Sequence, residues 1–216
     1  MDKLSAQIFL SQLPDITEIH FSDKVSFNQV KLKGKEESEV ALEEAAHFIL
    51  LPVTGDLYLK SDNDSCEVNI GEIKVCRQKK GSRIAITNPY DQDIVDFIQI
   101  IIQDRSITTN ESPDSFVFNL EASLNSLIPV CGYINKPSFS FNLHIGQFGG
   151  RKETVFQTRS AENAVYAFVI SGAFEMEGRL LHPKDGLALW NASSVEIEAL
   201  SDNALLLVLE RGSNNP

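Results

Sequence analysis

Two stretches of this chain decide how it folds. One is Ala46-His47-Phe48-Ile49-Leu50-Leu51-Pro52-Val53-Thr54-Gly55; the other is Ala164-Val165-Tyr166-Ala167-Phe168-Val169-Ile170-Ser171-Gly172. Each is an apolar run closed by a small residue and a glycine, and each is followed by another strand-like segment. A short apolar run bounded by turn residues suits a strand covered on both faces. The two glycines stand just over half the chain apart, so the pattern reads as an internal duplication of a β-unit. A chain of 216 residues is long enough for two such units, each with its own core.

Outward from these runs, strand-like segments recur at short intervals. They fall at 25–32, 48–53, 56–60, 67–70, 73–76, 84–87 and 94–102, and again at 139–145, 165–170, 174–176, 186–190, 195–200 and 204–210. Val195-Glu196-Ile197-Glu198-Ala199 alternates apolar and charged residues, as a half-buried strand does. The segment 204–209 is apolar almost throughout and suits a strand covered on both faces. Turn-forming residues separate the segments, as in Lys33-Gly34-Lys35, Ser61-Asp62-Asn63-Asp64 and Asn88-Pro89-Tyr90-Asp91. Many short strands with polar turns predict an all-β sandwich or barrel. The one helix-like stretch is 36–46, rich in Glu and Ala; the competing reading is a strand with charged residues facing solvent. The polar segment 106–115 reads as a linker, which gives an expected organisation of 1–105, linker 106–115, and 116–216.

Composition narrows the function. The formal net charge is −11, from 30 acidic and 19 basic residues, which opposes binding to a polyphosphate backbone. No nucleic-acid partner is expected, and the basic run Arg77-Gln78-Lys79-Lys80-Gly81-Ser82-Arg83 reads as an exposed turn. Three cysteines without a CxxC spacing make a poor disulfide framework; Cys76 and Cys131 read as inert core thiols. The N-terminus has no apolar leader core, and no apolar stretch is long enough to span a bilayer. A cytoplasmic protein with no membrane partner is the expectation.

The two units resemble the cupin superfamily. The first-motif ends are Leu50-Leu51-Pro52-Val53-Thr54-Gly55 and Phe168-Val169-Ile170-Ser171-Gly172, and the following turns are Ile70-Gly71-Glu72 and His182-Pro183-Lys184-Asp185-Gly186. The second unit is more narrowly similar to the C-terminal domain of pirin-like bicupins, a group that includes quercetin 2,3-dioxygenase-like proteins. That similarity rests on Tyr166 to Gly172, Arg179 to Leu189 and Asp202 to Leu209. The resemblance implies an all-β bicupin: two tandem cupin-like double-stranded β-helix barrels.

The resemblance also implies where a metal would be held: a histidine pair and a glutamate before the motif-ending glycine, and a third histidine from the second motif. Counted back from Gly55 and Gly172, the glutamate position falls on Phe48 and on Val165, and neither histidine window contains a histidine. Phe and Val have no donor atoms, so no metal and no other cofactor is expected. Glu43, Glu44 and His47 lie near the right segment of the first unit and form the residual ligand set if the register slips. His47, next to Phe48, should face the opposite way in a strand. His20 reads as non-functional, His144 as structural and His182 as an exposed turn residue. Trp190 closes a strand and either fills core or caps a barrel mouth. Glu43, Glu44, His47, Phe48, Val165 and Trp190 are thus the candidate pocket residues.

The function expected from these readings is a non-catalytic, metal-free bicupin that binds a small molecule or a protein partner. Two alternatives stay open. A metal-dependent quercetinase-like dioxygenase would need Glu43, Glu44 and His47 to converge. A metal-free cupin isomerase or epimerase would need a histidine inside a barrel beside an acidic partner.

Overall fold

The computed structural model describes residues 4–11, 18–22, 24–62 and 64–212. The chain divides into two compact units. The strands in chain order are β1 (Ser5–Phe9), β2 (Glu18–Ser22), β3 (Val25–Leu32), β4 (Glu37–Ala41), β5 (Ala46–Thr54), β6 (Leu57–Ser61), β7 (Ser65–Val68), β8 (Glu72–Gln78), β9 (Arg83–Thr87), β10 (Val95–Gln103) and β11 (Asp114–Val117). They continue as β12 (Ile128–Gly132), β13 (Phe141–Phe148), β14 (Glu153–Gln157), β15 (Ala164–Ser171), β16 (Phe174–Met176), β17 (Arg179–Leu181), β18 (Gly186–Trp190), β19 (Ser194–Ala199) and β20 (Ala204–Arg211). Among the described residues the only helix is a single 3-10 turn, Glu121–Ser123, and no helix is long and apolar enough to cross a membrane.

Each unit is a six-stranded sheet and a four-stranded sheet enclosing a core. In the N-terminal unit the orders are β11-β8-β5-β10-β3-β2 and β4-β9-β6-β7; in the C-terminal unit they are β1-β18-β15-β20-β13-β12 and β14-β19-β16-β17. Strands β3 to β10 repeat as β13 to β20, position for position. The fold is therefore the bicupin that the resemblance implied. The repeated runs are the central strands β5 and β15, and both are buried along almost their whole length.

The glycines that close them have a physical role. Gly55 and Gly172 sit at φ +72° and +76°, and a Cβ on Gly172 would stand 2.6 Å from the Ala204 Cβ. Both the left-handed backbone and the close approach need glycine.

Three expectations are corrected. The stretch 36–46 is not a helix: Glu37–Ala41 is β4, paired with β9. Its alternation decides this, with Ser38 and Val40 half-buried while Glu37 and Glu39 face solvent and meet Thr87 and Arg83. The segment 106–115 is not a free linker. Asp114–Val117 adds to β8 as an edge strand, and Asn110 and Glu111 are tied to Lys79, Ser82 and Arg77. The unit boundary falls instead between Phe118 and Asn119. Finally, β1 does not join the first unit; it pairs with β18 as the edge of the second unit's sheet. Of the basic run, Arg77 and Gln78 end β8, and Gly81 turns at φ +83° into β9.

Candidate functional site

Within the N-terminal unit the sequence-derived candidates Glu43, Glu44 and His47 are not brought together. Glu43 is exposed in the turn before β5. Glu44 is half-buried and accepts a hydrogen bond from the Lys80 ammonium at 2.8 Å, which holds its carboxyl below the ordinary value. His47 is fully buried but alternates away from the barrel core; its Nδ1 lies 3.9 Å from the Asp104 carboxylate. Phe48 points the other way, into the N-terminal core with Ala46, Leu50, Cys76 and Phe97. Glu43, Glu44 and His47 therefore do not converge as a ligand set. Among the described residues, no group of three or more His, Cys, Asp or Glu side chains is placed to hold a metal ion.

In the C-terminal unit Val165 is fully buried in the core with Ala167, Val169, Leu206 and Val208. Trp190 is half-buried at the end of β18 and alternates away from Leu187 and Leu189, which face that core. His182 is exposed, as expected. His20 lies in β2, and its side chain is outside the described residues. Cys76 and Cys131 are buried, and burial pushes Cys76 up to about 12, which keeps it an unreactive thiol.

The polar chemistry of this barrel lies one strand away from the position that sequence counting reached. The register places Glu210 of β20 directly opposite Val165 of β15 on one side, and opposite Asn142 of β13 on the other. Leu206 and Val208 of β20 belong to the core, so the alternation carries Glu210 onto the same inner face. The same register carries Asn142 and His144 inward on β13. His144 packs edge-on against Phe156 of the core, ring centroids 5.0 Å apart. Burial lowers its pKa, opposed by the Glu210 charge and a hydrogen bond to the Val208 backbone.

Glu210 is 2% exposed. Its Oε1 accepts from the Arg159 backbone N–H at 2.6 Å and from Asn163 Nδ2 at 2.8 Å. Asn142 is 7% exposed, and its Oδ1 has no hydrogen-bond partner. These side chains line a cavity of about 190 Å³ at the mouth of the barrel, with Tyr133, Phe139, Ser140 and Arg159 as its outer wall. The Arg159 guanidinium rests 4.7 Å over the Tyr133 ring.

The N-terminal barrel has nothing comparable at the matching register. Phe48 stands opposite Ile101, and Ile101 opposite Ser26. Sequence reading missed Glu210 because cross-strand pairing is not written locally. The available signal was a charged residue closing the otherwise apolar run of β20.

Comparison with known proteins agrees with this architecture. Residues 140–210 match a family model described as the quercetinase C-terminal cupin domain. No curated protein matches the sequence. Among solved structures, the YhaK protein from Escherichia coli superposes with a TM-score of 0.75 at 12% identity, covering 96% of this chain and 94% of that one. The bacterial pirin YhhW from Escherichia coli, solved in complex with nickel(II), gives a TM-score of 0.69 at 17% identity and coverages of 97% and 92%. Quercetin 2,3-dioxygenase from Acinetobacter baumannii gives 0.71 at 12% identity and coverages of 88% and 74%. At these identities the likeness is one of fold: a pirin-like, quercetinase-like bicupin.

Proposed function

We propose that this pirin-like bicupin is a metal-free, non-catalytic binding protein, and that it takes a small molecule at the mouth of its C-terminal barrel. The observation that carries the reading is the chemistry of the inner faces. The ligand-register positions Phe48 and Val165 are packed into apolar clusters. On the inner face of the C-terminal barrel the polar groups Asn142, His144 and Glu210 include one imidazole and one carboxylate. A redox metal in a site of this type needs several imidazole and carboxylate donors converging on it. The donor set here does not fit such an ion, and no step of a dioxygenase reaction is assigned to it. What Asn142 and Glu210 do provide is a buried, oriented polar floor beneath aromatic walls, which is how a compact ligand site is built.

Elemental analysis of protein purified without a metal-affinity tag tests the reading. Iron, nickel, copper and manganese are expected far below one equivalent; near-stoichiometric content of any of them overturns it.

One observation favours a second reading, a metal-free isomerase or epimerase: His144 and Glu210 share the inner face of one barrel, as an acid–base pair would. Incubation in D2O with a molecule that occupies the mouth discriminates between the two. Carbon-bound deuterium that disappears in His144→Asn favours catalysis; its absence leaves binding alone.

A further inference from the structure

Buried acceptors without donors define what this mouth lacks. Asn142 Oδ1 and Ser140 Oγ are both shielded from solvent and have no hydrogen-bond partner. Glu210 receives two hydrogen bonds, both on Oε1; Oε2 receives none from the described residues. Nor does any described Lys, Arg or His form an ion pair with Glu210. A buried carboxylate oxygen without a donor and a buried amide oxygen without a donor are each costly. The cost falls if a ligand brings positive charge and N–H groups. Glu210 and Asn142 are direct cross-strand partners, so their side chains start about 5 Å apart at Cβ and can address one small donor group together.

The walls specify the rest. Phe139 and Phe141 stack on each other, with ring planes 10° from parallel and centroids 5.1 Å apart. The rim already holds a planar cation against an aromatic face, the Arg159 guanidinium on Tyr133, an attraction of electrostatic origin. The volume of about 190 Å³ is below the roughly 300 Å³ at which sites for drug-sized ligands begin, so the occupant has about one ring.

We propose that the mouth of the C-terminal barrel binds a small planar organic cation of the amidinium or amino-heterocycle class, whose N–H groups are shared by Glu210 and Asn142. The inference rests on the reading of this barrel as a metal-free binding site and names the ligand chemistry of that site.

The test uses the full chain and three probes of one shape: cationic benzamidine, neutral benzamide and anionic benzoate. Calorimetry is expected to show saturable one-to-one binding of benzamidine, at least tenfold tighter than benzamide, and no binding of benzoate. Glu210→Gln is expected to weaken benzamidine at least tenfold. Should that variant fail to fold, NMR of the unaltered protein decides. Benzamidine, and not benzoate, should shift the Arg159 backbone amide and the Asn163 side-chain amide, the two donors to Glu210. Equal affinity for the three probes, tighter binding of benzoate through Arg159, no saturation at millimolar benzamidine, or shifts confined to other residues would each overturn the proposal. Its failure is separable from that of the parent reading. A metal-free protein that ignores benzamidine loses only the ligand class, whereas a stoichiometric metal removes the parent reading whatever benzamidine does.

Discussion

His144 is held below the ordinary imidazole value of 6.5 because burial disfavours its charged form, while the Glu210 charge and the Val208 backbone pull the other way. The sign of the consequence follows from linkage. Between pH 6.5 and the lower native value, the unfolded chain takes up a proton at this residue and the native chain does not. Stability contributed by neutral His144 is therefore present above pH 6.5 and is lost as pH falls through it. The urea midpoint of the unaltered protein is expected to drop more between pH 7.5 and pH 5.5 than that of His144→Asn; equal drops would show that the imidazole is not held neutral. At Phe48 the expectation is plain cavity cost. Phe48→Ala empties a fully buried ring position and should destabilise by about 3–5 kcal/mol in denaturant titration. The same residues show where sequence reading runs out. Counting back from Gly172 to Val165 stays within one strand, which is one local stretch. Glu210 stands beside Val165 only through sheet pairing with a strand far along the chain, and nothing near Val165 announces it.

At the scale of the strand, alternation was the most legible signal. Val195-Glu196-Ile197-Glu198 places Val195 and Ile197 in the core with the glutamates outward. The outward row carries a liability. Glu198 of β19 lies directly opposite Glu153 of β14 and Glu175 of β16, so three like charges cross the sheet in line. Glu175→Lys should stabilise the protein by roughly 0.2–1 kcal/mol, the range for directly opposed pairs, with the gain shrinking as salt is added. A thermal melt with no gain at low salt would show the row is fully solvated. The strand ends follow a different rule. Gly178 has φ +70° and nothing near its Cβ position, whereas a Cβ on Gly172 would meet Ala204 and Ser201. Gly178→Ala should cost only the left-handed backbone, about 1–2 kcal/mol; Gly172→Ala should add an overpacking cost of about 1–3 kcal/mol. The turn glycines were legible as turns, but which of them packs closely was not. For β4, Glu-rich composition pointed to a helix, and tertiary pairing with β9 overrode that propensity.

At the scale of the whole molecule, the duplication is complete in position but not in chain order. The edge place next to β8 in the first sheet is filled by β11, which follows the barrel in sequence; the matching place next to β18 in the second sheet is filled by β1, from the chain's beginning. No local signal could reveal this, because Ser5-Ala6-Gln7-Ile8-Phe9 is short and mostly exposed. It contributes backbone pairing with β18, partial packing of Leu4 and Ala6 against the core, and, just beyond the strand, hydrogen bonds from Ser11 to Asp185 and Pro183. Two outcomes of losing β1 can then be weighed. Were the strand part of the nucleus of the barrel, its removal would unfold the C-terminal unit. Its exposure argues instead for a local effect: β18 becomes the sheet edge, its outward backbone groups lose their partners, and its buried apolar residues Leu187 and Leu189 keep their core contacts. Deleting residues 1–11 should therefore abolish hydrogen-exchange protection at alternate amides of Gly186–Trp190 while leaving β15 and β20 protected. A newly bared edge also invites strand-to-strand association, so the truncated protein should self-associate with rising concentration in sedimentation experiments. Unchanged protection along β18 would mean that β1 is dispensable to the sheet, and global loss of protection in β15 and β20 would mean that the edge strand completes the fold rather than covering it.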